Sequence, residues 1–168
     1  MSDLKLDNSE VRRQDRLLDQ DRATELLRSA EWGVLSMNDS TDGSPYGVPL
    51  NYVWDGEHSL YIHCAPEGRK LSCIDHDGRV SFCVVGRVNL LPSRFTTEYE
   101  SIVLTGTAVR HLADEEKRHA LELLLDKLSP ADKEIGMKYA QGSFHRVEIV
   151  RIDIDTWSGK SKRVPTAD

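Results

Sequence analysis

The run YGVPLNYVWDGEHSLYIHCAPEGRKL, residues 46–71, constrains the fold more than any other part of the chain. Alternating side chains predict a strand over 46–54, and Asp55-Gly56 is typical of a hairpin turn that leads into a return strand over 60–64. A helix is predicted directly afterwards, over 66–75, with Pro66 in its first turn. A hairpin that runs straight into a helix start indicates a β-rich fold with short connections between its elements.

Short strands and short links also make up the rest of the sequence. Hydrophobic alternation predicts four further strands, over 32–37, 79–86, 99–111 and 144–155. Amphipathic spacing predicts three further helices, over 22–30, from Asp114 onwards, and from Ser129-Pro130 to about Tyr139. Six strands joined mostly by hairpins favour a mainly β fold with flanking helices, in which the six antiparallel strands close into a small barrel.

Three segments are predicted to interrupt this regular pattern. The segment 87–98, which contains Pro92 and several polar residues, is predicted to be a loop. A shift in the alternation at Ile149-Val150 predicts a β-bulge in the last strand. The segment WSGKSKR, near the end of the chain, is predicted to be a basic loop.

The composition fits one soluble domain and excludes several kinds of partner. The chain has 168 residues and a net charge of −6, which argues against nucleic acid or an anionic membrane as a partner. No apolar run approaches the roughly 20 residues of a membrane span, and the polar N-terminus lacks a hydrophobic signal region. Three cysteines without a CxxC pair fit reduced thiols, so we expect a cytoplasmic protein. The predicted organisation is a polar N-terminal arm over 1–18, a single domain over 19–163 and a C-terminal tail over 164–168.

Gly68-Arg69-Lys70 is the first candidate binding motif. Two adjacent cations stand where a helix start would expose unpaired backbone N–H groups, and that combination suits a phosphate. Arginine offers a planar fork of donors, and lysine offers a point charge. The alternative is an ordinary solvated pair of charges at the start of a helix.

The strand before this motif and the histidine on the return strand form the second candidate. Pro49 removes one ladder donor, so a planar ligand could lie beside this strand, where Val48, Leu50 and Asn51 offer polar groups. His63 could donate to a phosphate or act as a proton source near neutral pH. The alternatives are an edge strand whose proline discourages aggregation, and a half-buried histidine with a backbone partner.

Cysteine and tryptophan side chains offer two more candidates. Cys73 and His76 are three residues apart on one predicted helix, but Cys64 and Cys83 fit no zinc-ligand spacing, so no metal site is predicted. Trp157 could cover a planar ligand or plug the end of a barrel. The chain contains no Walker loop, no GxGxxG motif and no GxSxG motif.

Taken in order, these motifs resemble the flavin-binding core of the pyridoxamine 5′-phosphate oxidase-like proteins, and within them the nitroimidazole-resistance branch. The similarity covers roughly residues 11–163 and includes the later segments TEYESIVLTGTAVRHLADEEKRHALELL and IVRIDIDTWSGKSKR. It implies a six-stranded split β-barrel that binds FMN at a homodimer interface. It also implies the ligand-binding residues: Val48, Pro49, Leu50 and Asn51 at the ring, Gly68, Arg69 and Lys70 at the phosphate, His63 beside the flavin, Tyr99 and Ser101 at the site or the dimer seam, and Trp157 in the C-terminal motif.

The activity implied by the resemblance is that of an FMN-dependent reductase. Such an enzyme passes electrons from a reductant, here expected to be a nicotinamide, to a small planar acceptor such as a nitroaromatic. The chain lacks the Arg-x-Val-Leu-Leu-Lys pattern of the true oxidases and has Tyr46 to Asn51 in its place, which argues against vitamin B6 oxidation. The alternative is a non-catalytic protein that holds flavin or haem on the same barrel. We expect differences in substrate selection to lie in the segment 87–98.

Overall fold

A computed structural model of the chain describes residues 4–165. Within them, seven strands form one antiparallel sheet: β1 (Trp32–Asn38), β2 (Pro45–Asn51), β3 (Val53–Trp54), β4 (Ser59–Cys64), β5 (Arg79–Leu91), β6 (Thr96–Val109) and β7 (Glu148–Lys162). The α-helices of the same residues are α1 (Gln20–Ser29), α2 (Arg69–His76), α3 (Asp114–Leu128) and α4 (Lys133–Gly142). None of these helices is long and apolar enough to cross a membrane.

The two edges of the sheet are joined by a single residue. The strand order is β2-β1-β5-β6-β7-β4-β3, so the outermost strands, β2 and β3, are consecutive in the chain and only Tyr52 lies between them. The sheet therefore curls until its edges meet, although no ladder of hydrogen bonds among the described residues closes it. This confirms the predicted mainly β split barrel with flanking helices. It has seven strands where six are predicted, because the predicted strand 46–54 breaks at Tyr52.

Tyr52 is fixed at this junction by contacts with several elements. Its side chain is fully buried, and its hydroxyl donates a hydrogen bond of 2.6 Å to the backbone oxygen of Leu27 in α1. Its ring meets the ring of Phe82 edge to face, with the centroids 5.0 Å apart. The ammonium of Lys127, from α3, lies 3.8 Å from the centre of the same tyrosine ring. Two helices and the sheet thus converge on the residue that joins the two edges.

The hydrophobic core has two parts. The main part lies inside the curled sheet and includes the inner faces of the long strands together with side chains of α1 and α2. The smaller part lies under α3, where Ala120 and Leu124 pack with Val53, Tyr61 and Ile149 of the sheet. Burial of Ala120 and Leu124 confirms the amphipathic spacing that predicts this helix.

The helix after β4 begins later than the sequence predicts. It starts at Arg69 with Gly68 as its N-cap residue, so Pro66 lies outside the helix. Gly68 has a φ of +134°, a conformation that glycine adopts at little cost and that other residues avoid. The late start places Arg69 and Lys70 in the first turn of α2, where backbone N–H groups have no acceptor within the helix.

The predicted loop over 87–98 is instead the end of a long hairpin. β5 continues to Leu91 and β6 begins at Thr96, and the two strands pair almost to the turn. Phe95 in this turn has a φ of +50° and is nearly fully exposed. The alternation of apolar and polar residues does not reveal this extension, because both faces of the hairpin end lie outside the main core.

The last strand is also longer than predicted. The segment WSGKSK is not a loop: it belongs to β7 and pairs with β6. The β-bulge lies at Asp155, where the register opposite Gly106 shifts by one residue. The predicted bulge at Ile149-Val150 is wrong, because both residues pair regularly with β4.

The N-terminal arm lies along β7. The backbone N–H of Asp7 donates to the backbone oxygen of Trp157 at 2.8 Å, and that of Leu18 donates to the oxygen of Gly159 at 3.0 Å. The side-chain oxygen of Asn8 accepts a hydrogen bond of 3.0 Å from the N–H of Gly159. These bonds attach the arm to the last strand. The predicted domain boundaries at residues 18/19 and 163/164 remain predictions. Residues 1–3 of the arm and 166–168 of the predicted tail lie outside the described residues.

Replacing Gly106 with alanine is expected to destabilise the fold. A Cβ atom at this position would lie 2.1 Å from the backbone oxygen of Asp153 on the neighbouring strand, so the β6–β7 ladder must shift beside the bulge. We expect the free energy of unfolding, measured by urea denaturation, to fall by about 2–4 kcal/mol.

Gly142→Ala is the matched control, because a Cβ atom there would have nothing within 4 Å. Its free energy of unfolding should stay unchanged or rise by about 0.5 kcal/mol. Equal stability of the wild type and Gly106→Ala would contradict the register of β7.

Candidate functional site

An open cleft lies between β2 and β4, where the barrel is split. On this side β4 pairs with β3 only through Leu60 and Tyr61. From Ile62 to Cys64 the strand pairs with β7 on its other side and has no partner on the side of the cleft among the described residues. The cleft has a volume of about 380 Å³ and is lined by Trp32, Pro49, Leu50, Asn51 and His63. Four of these five are predicted site residues, which the fold brings together from two strands. The cleft combines apolar and aromatic surface with unpaired backbone groups, as ligand sites commonly do.

β2 presents its free edge to this cleft. It pairs with β1 on the other side, with Pro49 opposite Val34, and an edge position tolerates the missing N–H of a proline. Asn51 donates from its side-chain amide to the backbone oxygen of Glu31 at 3.0 Å, which holds that amide at the wall of the cleft. Val48, which the resemblance also assigns to the ring, packs against the core and does not line the cleft.

Trp32 is the lining residue that the sequence did not reveal. It is the first residue of β1, it lies opposite Asn51, and 57% of its surface is exposed. An exposed indole at a cleft offers a flat apolar face to a planar ligand. Only the pairing of β1 with β2 places Trp32 beside Asn51, and the alternation within β1 carries no signal of that pairing.

His63 has a pKa below the ordinary histidine value. The larger cause is that neighbouring protein atoms displace part of the water around the ring, although the residue remains exposed, and the second cause is the positive charge of Lys70. Both disfavour the charged imidazolium. The neutral ring is therefore the main form at neutral pH. His63 can donate one N–H hydrogen bond there, but it carries little of the extra proton that a proton source near neutral pH would need.

Lys70 lies on the side of α2 that faces β4. Its positive charge acts on the thiol of Cys64 and on His63. Burial raises the pKa of the Cys64 thiol, and Lys70 acts in the opposite direction. Lys70 therefore places a positive charge beside the histidine of the cleft.

Arg69 leaves α2 in a different direction, because successive side chains of a helix are about 100° apart. Its Nε donates to Oδ2 of Asp39 at 2.6 Å, and its guanidinium carbon lies 4.0 Å from the centre of the Tyr46 ring. Asp39 follows β1 and Tyr46 lies at the start of β2, so the β1–β2 hairpin holds this side chain. The two cations thus flank the N-terminus of α2, whose N–H groups add partial positive charge.

Tyr99, Ser101 and Trp157 do not line the cleft. Tyr99 and Ser101 lie two residues apart on the same face of β6, and Ser101 is opposite Lys160 of β7. Trp157 lies opposite Leu104, only 1% of its surface is exposed, and its Nε1 has no hydrogen-bond partner among the described residues. Within one chain, Trp157 is a core residue that fills the barrel.

The cysteines lie on three different elements and are all free thiols: Cys64 on β4, Cys73 on α2 and Cys83 on β5. Among residues 4–165, no group of three or more histidine, cysteine, aspartate or glutamate side chains is placed to hold a metal ion.

Comparison with known proteins assigns this barrel to a family. The sequence profile described as pyridoxamine 5′-phosphate oxidase matches residues 19–161, which is most of the chain. The chain belongs to this family. The match confirms the family that the sequence resembles. A comparison with proteins of curated function finds no match.

Three solved structures share the fold of this family member. A protein from Bacteroides thetaiotaomicron VPI-5482 with a proposed role in 5-nitroimidazole antibiotic resistance is 23% identical, with 87% of this chain and 86% of that chain covered and a TM-score of 0.71. An FAD-binding protein from Mesorhizobium loti is 23% identical, with 88% and 98% covered and a TM-score of 0.64. An FAD and haem binding protein from Mycobacterium smegmatis is 21% identical, with 89% and 74% covered and a TM-score of 0.67. At these identities the similarity establishes the shared fold.

The pKa of His63 is expected to rise when Lys70 is replaced by glutamine. The substitution removes the charge that disfavours the imidazolium but leaves the neighbouring protein atoms in place, so the pKa should increase and still lie below about 6.5. Titration of the imidazole C–H resonance by NMR between about pH 5 and 9 measures it in both proteins.

Lys133→Gln is the matched control, because the ammonium of Lys133 pairs with Asp126 outside the cleft. It should leave the pKa of His63 unchanged. A wild-type His63 pKa above the ordinary histidine value would contradict the environment described for the ring.

Proposed function

We propose that this protein binds flavin mononucleotide along β2 and uses it to reduce small planar acceptors such as nitroaromatics. The observation that carries the proposal is a cleft with an indole, a proline and a leucine in its wall at one end of β2 and an arginine at the other. Arg69 lies over Tyr46, and the cleft is lined by residues up to Asn51, five residues further along the strand. An extended strand rises about 3.4 Å per residue, so these positions are roughly 17 Å apart. That span suits a ligand with a planar ring at one end and a phosphate at the other.

The side chains along this path match the two ends of such a ligand. Trp32, Pro49 and Leu50 offer apolar surface to the ring, and the unpaired edge of β2 offers backbone hydrogen bonds to its polar rim. Arg69, Lys70 and the N–H groups of the first turn of α2 suit a phosphate, which carries a charge of about −1.5 to −2. The distance from Asn51 to Arg69 suits the terminal phosphate of a mononucleotide, and Lys70 adds positive charge nearer to His63.

The proposed activity follows from what the chain can position at this cleft. When bound, a flavin supplies two-electron redox chemistry, for which we propose a nicotinamide as the reductant and a nitroaromatic as the acceptor. The exposed indole of Trp32 offers a face on which a planar acceptor can stack. His63, in its neutral form, offers one N–H donor at the cleft wall to a polar atom of the bound ring or acceptor.

The second candidate is a protein that holds flavin or haem without turnover. The neutral imidazole of His63 favours it, because a neutral ring nitrogen can ligate iron. One protein of the same fold is described as an FAD and haem binding protein. Rapid mixing separates the two candidates. A reductase loses its flavin absorbance on addition of a nicotinamide donor and regains it when a nitroimidazole is added, whereas a binding protein shows no bleaching with any donor.

We also propose a homodimer formed through the outer face of the sheet. The strand registers place the members of this outer face side by side: Pro49, Trp32, Val34, Ser36, Ser81, Cys83, Val85, Ser101, Val103, Thr105, Thr156, Ser158 and Lys160. Lys160 is the one charged residue of this set, and two further cations that alternate with its members, Arg79 and Lys162, lie at its rim. A broad exposed face with so little charge is typical of an interface. Because Trp32 and Pro49 also line the cleft, a second copy on this face would stand beside the ligand.

The double variant Arg69→Ala, Lys70→Ala is expected to lose most of its bound flavin. Removing two charge-assisted contacts to the phosphate should weaken FMN binding by about 100-fold, measured by the quenching of flavin fluorescence on titration. The control Arg12→Ala, Lys138→Ala removes the same charge from two exposed side chains and should bind FMN like the wild type. A double variant purified with full flavin absorbance would show that the phosphate lies elsewhere.

Val103→Asp is expected to convert the dimer to a monomer. Val103 lies near the middle of the outer face, and a pair of carboxylates brought together by a twofold contact would repel each other and lose water. Analytical ultracentrifugation measures the mass in solution. Ile135→Asp, which places the same charge on an exposed apolar residue of α4, is the control and should remain dimeric. A wild type that sediments as a monomer would refute the proposed dimer.

A further inference from the structure

A buried carboxylate lies behind one of the two cations of the proposed phosphate site. Asp39 is 3% exposed and lies in the turn after β1, where its Oδ1 accepts hydrogen bonds from the backbone N–H of Thr41, at 2.8 Å, and from the Thr41 hydroxyl. Its backbone is held as well, because its N–H donates to the oxygen of Ser44 at 2.8 Å and its oxygen accepts from Gly43 at 2.9 Å. The turn therefore binds one carboxylate oxygen and leaves Oδ2 for Arg69.

Arg69 is restrained in two directions. The bond from its Nε to Oδ2 of Asp39, 2.6 Å long, fixes the guanidinium within its own plane, and the Tyr46 ring, 4.0 Å away, supports its face. The side chain nevertheless remains 58% exposed. Its terminal nitrogens, Nη1 and Nη2, have no hydrogen-bond partner among residues 4–165, so they are free to donate at the start of α2.

We propose that Asp39 is a positioning residue that aims the terminal nitrogens of Arg69 at the phosphate of the ligand. The inference rests on the proposed function. A planar fork with two free nitrogens matches the geometry of phosphate oxygens. A free arginine must be ordered when it binds, which opposes binding, whereas a guanidinium that Asp39 and Tyr46 already hold avoids that cost.

The charge of Asp39 by itself has the opposite effect on phosphate binding. Hydrogen bonds from Thr41, and then from Arg69, lower the pKa of Asp39 to about 2, so its carboxylate is ionised at neutral pH. This negative charge offsets part of the positive charge that attracts the phosphate. Neutralising Asp39 should therefore strengthen FMN binding if charge decides the affinity, and weaken it if positioning decides.

The test compares FMN with riboflavin, which has the same ring system and no phosphate. Dissociation constants of both are measured for the full chain at neutral pH by quenching of flavin fluorescence. In Asp39→Asn we expect the affinity for FMN to fall by about tenfold and the affinity for riboflavin to stay unchanged. Asp42→Asn is the matched control: it removes the same charge from the same turn, where Asp42 accepts from the N–H of Ser44 at 2.9 Å, but it makes no hydrogen bond to Arg69. It should bind FMN as the wild type does or slightly more tightly.

Two further variants keep the test decisive if Asp39→Asn folds poorly, which its melting temperature would reveal. Arg69→Lys keeps the positive charge on an exposed side chain but has no Nε to bind Asp39, and it should also lose about tenfold in FMN affinity. In an Arg69→Ala background, Asp39→Asn should cause no further loss of FMN affinity, because no guanidinium remains to be positioned.

The outcomes distinguish this inference from the proposed function. A gain of FMN affinity in Asp39→Asn, an equal loss for FMN and riboflavin, or the same loss in Asp42→Asn would overturn the positioning role and leave flavin binding standing. A wild type that binds FMN no better than riboflavin would overturn the positioning role together with the phosphate assignment. A wild type that binds neither compound would overturn the proposed function itself.

Discussion

The fold depends on one short junction, because the chain crosses from one edge of the sheet to the other through Tyr52 alone. This residue is held at the junction by contacts with Phe82, Leu27 and Lys127. Burial raises the pKa of the Tyr52 hydroxyl, so the side chain stays neutral where a charged group would be expensive. The junction brings the edges of the sheet together without letting them form a ladder, and the barrel therefore keeps a split beside it.

The split of the barrel and the positive charge of Arg69 and Lys70 both come from the segment that runs from β2 through β4 to the start of α2. β2 ends at Asn51 on one wall of the split, and β4 brings His63 to the other wall before the chain turns at Gly68 into α2. The side chains of Arg69 and Lys70, in the first turn of that helix, point in different directions. Lys70 acts on the histidine of the cleft, and Arg69 reaches back to the β1–β2 hairpin. The cleft and Arg69 both lie along β2, and this arrangement favours a ligand that has a ring at one end and a phosphate at the other.

Local signals in the sequence predict the parts of the fold in which neighbouring residues determine the conformation. The turn at Asp55-Gly56 is predicted from its own residues, and Val53–Trp54 pairs with β4 across it. The rest of the predicted hairpin is wrong, because Pro45–Asn51 pairs with β1 instead. The segment WSGKSK is missed as a strand because its partner, β6, lies about fifty residues away and supplies the hydrogen bonds that extend it. The bulge at Asp155 is missed for a related reason, since it depends on the register opposite Gly106 on the distant strand β6.

The sequence by itself determined the family, the mainly β class, and most of the candidate site: the proline strand, His63 and the cations of α2. Each of these features consists of residues that are close together in the chain, so it can be recognised without knowledge of the tertiary contacts. Only the tertiary structure decided that Trp32 belongs to the cleft, that Trp157 lies in the core, and that Asp39 holds Arg69. Each of these facts depends on the register between strands or on the contact of a helix with a distant turn, and neither is encoded in the periodicity of a single segment.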